Sequence, residues 1–135
     1  QYLKGLDFNR NISFNGVFSA PYTLTPNVDR NESVLTIPSF NPANFISVPS
    51  GATHFRIINA ISVIADFVFN PTTSAYTPVD VATTPLTVTA TLPNAPTMNT
   101  NVTAIGSIGI EFYQQVGSNY YLFNAGNAMK IQDLF

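Results

Sequence analysis

The chain has 135 residues, of which 45% are hydrophobic and 9% charged, with five basic and seven acidic side chains and a formal net charge of −2. High apolar content with low net charge excludes a disordered chain, and five scattered basic residues make no phosphate-binding stripe, which excludes a nucleic-acid partner. With no Cys in the sequence, disulfides and Cys-based zinc sites are excluded as well.

From the N-terminus, Leu6, Phe8, Ile12, Phe14 and Phe18 share one parity, and Asp7, Asn9, Asn11, Ser13, Asn15 and Ser19 the other. Alternation of this kind predicts a half-buried strand, or two short ones if Asn15-Gly16 forms a hairpin turn. Tyr22 to Val28 and Ser33 to Pro38 flank the polar tetrad Asp29-Arg30-Asn31-Glu32 and predict a hairpin. Ser39 to Gly51 reads as a loop with one helical turn after Asn41-Pro42.

Thr53 to Phe69 is the longest apolar segment, with Phe55, Ile57, Ile61, Val63, Ala65, Phe67 and Phe69 on one parity. A helical stripe through Ile57, Ile61, Ile64 and Val68 competes with that pattern, but the β-branched residues favour a strand. Its length predicts a bend or break near Asn59. The segment is interrupted by Asn59, Ser62 and Asp66 and is too short for a membrane-spanning helix, so no membrane insertion is expected.

A weak strand is expected at Ala75 to Val81 and a clear one at Leu86 to Leu92, where Leu, Val and Ala alternate with Thr. Pro93 to Asn101 is a loop. Val102 to Val116 is a strand in which Gly106 and Gly109 suggest a bulge or a close backbone approach. Gly117-Ser118-Asn119 predicts a three-residue hairpin loop into Tyr120 to Asn124, and Ala125-Gly126-Asn127 turns the chain into a last strand, Ala128 to Leu134. The pattern is that of an all-β fold: an antiparallel β-sandwich, Ig-like or Greek-key, of seven to nine strands in one domain spanning 1–135.

No catalytic signature emerges. His54 is the one candidate imidazole base and lies on the parity opposite the apolar side; no Gly-x-Ser-x-Gly elbow is present. Among Asp7, Asp29, Glu32, Asp66, Asp80, Glu111 and Asp133, Asp66 and Glu111 stand out inside apolar strands, where a carboxylate faces solvent or pairs with a cation such as Arg56 or Lys130. Asn27, Asp29, Asn31 and Ser33 alternate oxygen ligands as a calcium loop does, but Glu32 and Pro38 stand where such a loop needs its glycine and its bidentate glutamate. No catalytic, metal or cofactor-binding residue is therefore assigned. The sequons at Asn11, Asn31 and Asn101 are no more than this many Asn, Ser and Thr residues produce by chance. Tyr113, Tyr120 and Tyr121 cluster around the last hairpin and are the candidate glycan contacts; cross-strand aromatic pairing is the competing explanation.

Leu3-Lys4-Gly5-Leu6-Asp7-Phe8-Asn9, Gly51-Ala52-Thr53-His54-Phe55, Ile110-Glu111-Phe112-Tyr113-Gln114-Gln115-Val116 and Asn124-Ala125-Gly126-Asn127-Ala128 resemble segments of an uncharacterised protein family of Bacteroidetes bacteria. The resemblance implies the C-terminal, β-rich half of a longer protein, trimmed at Gln1. It implies no activity and no catalytic residue.

Asn, Thr, Ser and Gln total 44 residues, so solubility rests on amides and hydroxyls. Ordinary soluble domains are about a quarter charged. Weak charge suits self-association and an extracellular or cell-surface setting. The expected function is a non-enzymatic structural subunit of a filament, sheath, coat or particle, partnered by copies of itself and needing no cofactor. The alternative is a glycan-binding or adhesive module. Residues 1–20 are the candidate exchanged or inter-subunit strand, with Leu6, Phe8, Ile12, Phe14 and Phe18 as its assembly residues.

Overall fold

The structure is a computed structural model that describes residues 4–63, 68–93, 98 and 102–135. Nine described strands form two antiparallel sheets, joined by loops that include two single helical turns. The smaller sheet has the order β1-β2-β6, from β1 (Thr23–Pro26), β2 (Glu32–Ile37) and β6 (Leu86–Thr91). The larger sheet is built on the pairing of β3 (His54–Val63) with β7 (Ala104–Val116), ten residue pairs from His54–Tyr113 to Val63–Ala104. On the far side of β3 lie β4 (Val68–Thr73) and the two-residue β5 (Thr77–Pro78); on the far side of β7 lie β8 (Asn119–Leu122) and β9 (Ala128–Leu134).

Alternation places side chains of both sheets in a common core. Leu35, Ile37 and Val88 come from the smaller sheet, and Phe55, Ile57, Ile108, Ile110 and Phe112 from the larger. A second buried group, Ile61, Val63, Ala90, Leu92 and Ala104, continues it along the strands. Asn59 stands between the two on the same face of β3, fully buried. Its Nδ2 donates to the carbonyls of Ser33 (3.0 Å) and Val88 (2.9 Å), and its Oδ1 accepts from the Ser33 hydroxyl at 3.4 Å. The expected break near Asn59 does not occur, because the other sheet supplies partners for the amide and the strand runs on. Strand β3 ends at Val63, and its antiparallel partner begins at Val68.

The glycines of β7 act as the sequence suggested. A Cβ on Gly106 would meet Leu24 Cδ2 at 2.9 Å, and one on Gly109 would meet Met129 Cγ at 3.1 Å, so neighbouring side chains cross β7 at both points. The register against β9 shifts between Gly106 and Ser107.

The N-terminal reading is corrected. Residues 6–18 are not a strand. Phe14–Val17 form a helical turn, α1, with Ser13 as N-cap: its Oγ accepts from the Gly16 N–H at 2.9 Å, while Asp7 Oδ1 accepts from the Phe14 N–H at 2.8 Å. Phe14, Val17 and Phe18 are spaced i, i+3, i+4, so one helical turn sends all three into the core, whereas a strand would turn Val17 outward. Phe14 and Phe18 are 0% and 2% exposed and belong to the chain's own core, with Ile12 packed against it. Leu6 and Phe8 stay half exposed.

Other expectations hold closely. The first hairpin pairs β1 with β2; a second helical turn, α2 (Pro42–Phe45), is capped by Asn41; β9 has the expected bounds. The weak strand at Ala75 to Val81 shrinks to β5, and the last hairpin loop has two residues rather than three, with Val116 paired to Asn119. Gly117 opens that loop at φ 64°, which suits glycine.

Two substitutions test this core. Asn59→Ala removes three hydrogen bonds and leaves the Ser33 hydroxyl buried without its acceptor, and should lower unfolding free energy in urea by about 2–4 kcal/mol. Ser107→Ala should cost less than about 0.5 kcal/mol or stabilise, because the buried Ser107 hydroxyl has no hydrogen-bond partner.

Candidate functional site

The densest group of chemically capable side chains lies on the face of the larger sheet away from the core. The β3–β7 register sets His54 opposite Tyr113 and Arg56 opposite Glu111, all on the outward parity. Tyr76, just before β5, and Tyr120 of β8 join them. The rings of Tyr76 and Tyr120 stack at 3.8 Å with an interplanar angle of 2°. Tyr113 meets Tyr76 edge-on at 4.9 Å, and His54 meets Tyr120 edge-on at 5.0 Å. The Arg56 guanidinium lies 4.5 Å from the Tyr76 ring centre, and donates to the Ser74 carbonyl and the Thr73 hydroxyl.

These side chains are engaged largely with one another. Tyr76 packs against Arg56 and Tyr120, and Tyr113 is buried with its hydroxyl donating to Glu111 Oε1 at 3.1 Å. Burial pushes the Tyr113 phenol above its ordinary 10.0; the Glu111 charge and hydrogen bond push the same way, and Arg56 opposes them. His54 Nδ1 lies 2.9 Å from the Thr53 hydroxyl, whose oxygen also accepts from the Gln115 N–H at 2.8 Å and approaches the Tyr113 carbonyl at 3.4 Å. The Thr53 hydroxyl thus ties the start of β3 to β7. A pocket of about 520 Å³ beside His54 is lined by Pro78, Val79, Asp80 and Val81.

The sequence candidates divide. Tyr113 and Tyr120 come together, and Tyr121 points the other way, paired with Gln114 and more than half exposed. Tyr76 and Arg56 complete the cluster; neither was singled out as a ring partner, since the contact depends on how the chain returns after β4. Glu111 faces outward as expected. Asp66 lies outside the described residues. The oxygen-rich turn folds on itself: Asn27 Oδ1 accepts from the Asn31 and Glu32 N–H groups, and Asn27 Nδ2 donates to Asn31 Oδ1 at 2.6 Å. Among the described residues, no group of three or more His, Asp or Glu side chains is placed to share a metal ion.

The N-terminal candidates form a different surface. Gly5 N–H donates to the Ile131 carbonyl at 2.8 Å, Ile131 N–H to the Leu6 carbonyl at 2.9 Å, and Phe8 N–H to the Met129 carbonyl at 2.8 Å, so this short segment runs along the outer edge of β9. Phe8, Ile58 and Met129 border a shallow, mainly apolar notch of about 220 Å³ with Glu111 at its rim. Lys130 donates to Asn15 Oδ1 at 2.7 Å beneath this segment; burial lowers its ammonium below the usual value, and the Asp7 charge works against that.

The chain matches no protein-family model, no curated protein and no solved structure.

The buried phenols set an alkaline limit. The unfolded chain releases tyrosine protons near 10, while Tyr113 and Tyr22 hold theirs to higher pH in the fold, both chiefly through burial. Their contribution to stability is complete below pH 10 and is lost as pH rises through the folded values. Urea unfolding should show stability falling from pH 10 upward, with a shallower fall in Tyr113→Phe and Tyr22→Phe.

Proposed function

We propose that this chain is a non-enzymatic structural subunit of a self-assembling extracellular filament, sheath, coat or particle, with its two sheets arranged as a β-sandwich of Ig-like or Greek-key type. The observation that carries the reading is the N-terminal segment. It is held to β9 by main-chain hydrogen bonds, and it leaves Leu6 and Phe8 half exposed, with Phe8 bordering an apolar notch. A segment that adds to a sheet edge through its backbone can make the same bonds to β9 of a neighbouring copy, with alternate side chains setting the register. The low charge supports this, because copies of the chain repel one another weakly. The polar cluster around His54 supports the non-enzymatic part of the reading, since its rings and hydroxyls are already engaged with one another.

The alternative is a glycan-binding or adhesive module. One feature favours it: Tyr121 keeps an exposed ring on the hairpin. The stacked Tyr76–Tyr120 pair weighs against it, because a sugar platform needs an open aromatic face.

The N-terminal surface is tested with Leu6→Ser combined with Phe8→Ser, both exposed positions. Electron microscopy and sedimentation should show large particles for the unaltered protein, and smaller species for the variant at nearly unchanged melting temperature. Phe14→Ser, by contrast, should unfold the subunit, at a cost of about 3–5 kcal/mol for a fully buried ring. A unaltered protein that stays monomeric at all concentrations would sink the assembly reading, and Tyr121-dependent binding on a glycan array would promote the alternative.

A further inference from the structure

A sheet edge is a row of unpaired backbone donors and acceptors, and proteins blunt such edges with proline, charge, bulges or cover. Several edges of the described strands carry such devices. Pro26, Pro71 and Pro78 stand in β1, β4 and β5 and remove donors there. Strand β6 is tied to β4 by the Asn70 side-chain amide on the Thr91 carbonyl. Strand β9 is covered by residues 5–8.

Strand β8 is short, at four residues, but has no proline, charge or cover among the described residues. It ends the larger sheet beyond β7. It contains no proline, and no charged residue occurs between Glu111 and Lys130. Hydrogen-bonded pairs alternate along an antiparallel ladder. Counting back from the bond of Phe123 N–H to the Phe112 carbonyl, Tyr121 faces β7, while Tyr120 and Leu122 turn their N–H and C=O groups to the open side. Around this edge Val116, Tyr121 and Leu122 are each more than half exposed. The aromatic cluster holds the strand in place, since Tyr120 is stacked on Tyr76 and packed against His54. An edge already held straight loses little entropy when another strand joins it.

We infer that β8 is a self-association edge, which pairs antiparallel with β8 of a second copy across a two-fold axis. The composition selects that occupant. In a two-fold pairing a strand meets its own side chains, so any charge on it would oppose a like charge, which destabilises. Asn, Tyr and Leu pair with themselves without that penalty. A foreign strand would be selected by charge complementarity, and this edge carries no charge with which to select it. Self-pairing at β8 presupposes that the chain assembles with itself, as proposed above, and adds a second contact to the N-terminal one. Two different self-contacts on one subunit extend an assembly instead of closing it as a dimer.

The test is sedimentation equilibrium of the unaltered chain, Leu122→Lys and Tyr121→Lys over a wide concentration range, with melting curves as the folding control. Each lysine brings two copies of the same charge close together across the two-fold axis and should weaken association by about tenfold or more. Tyr121→Lys serves if Leu122→Lys folds poorly. Hydrogen exchange gives an independent reading: the outward amides of Tyr120 and Leu122 should exchange fast in dilute monomer and become protected in the assembly. If the unaltered chain associates and both lysine variants associate equally well, or those two amides stay unprotected, the β8 surface is wrong and the assembly reading stands. If the unaltered chain is monomeric throughout, both fail.

Discussion

The Asn59 side chain is the constraint on which the two sheets depend. It is a fully buried amide on the inner face of β3, between two apolar groups, and its partners all lie on the other sheet. Apolar contacts alone would tolerate sliding of one sheet over the other, since Ile, Val and Leu are nearly interchangeable as neighbours. A buried amide tolerates no such slip, because an unpaired polar group in the interior costs free energy that a shifted apolar contact does not. The amide therefore selects one alignment of β3 against β2 and β6. The ten-pair ladder with β7 carries that alignment to the far half of the larger sheet.

The outward face of that sheet follows from the same alignment. With Asn59 fixed inward, His54 and Arg56 must point outward, and the β7 register brings Tyr113 and Glu111 beside them. Tyr76 and Tyr120 then close over the pair from either side, joining β3, β7, β8 and the segment after β4. The cluster resembles a binding surface in its composition, yet its contacts run among its own members. Its mechanical consequence is a well-held β8.

Edge protection ties the fold to the proposed function. Proline, a side-chain amide and the N-terminal segment each shield one part of the sheet periphery, by different means and at different residues. Coverage of β9 comes from a short segment near the chain start, held by three main-chain hydrogen bonds. The outer edge of β8 and the segment that covers β9 lie at different ends of β7.

Much of this architecture was legible locally. Alternation of apolar with Thr, Ser and Asn residues located β2, β3, β6, β7 and β9, since a strand's side chains project to opposite faces with period two wherever one face is buried. Asn41-Pro42 marked a helical turn through its capping chemistry, and Gly106 and Gly109 marked the close approaches across β7. Residues 6–18 show the limit. Their alternation fits a strand, but Phe14, Val17 and Phe18 also fit one helical turn, and Ser13 and Asp7 satisfy the turn's N–H groups. Over so few residues the two periods are not distinct, and only the shape of the core beneath Phe14 and Phe18 chooses between them. Asn59 failed as a break for a related reason: a polar residue in an apolar strand reads as an interruption until its partners are known, and those are Ser33 and Val88, far away in sequence. Glu111 could be placed outward by parity alone, but Tyr76 could not be placed beside Tyr120 from any local pattern. What the sequence determined by itself was the β class and most strand positions, which depend on the chain's near neighbours. Which strands face each other, which edge stays open and which rings meet were decided by the tertiary structure, because those contacts join residues that only folding brings together.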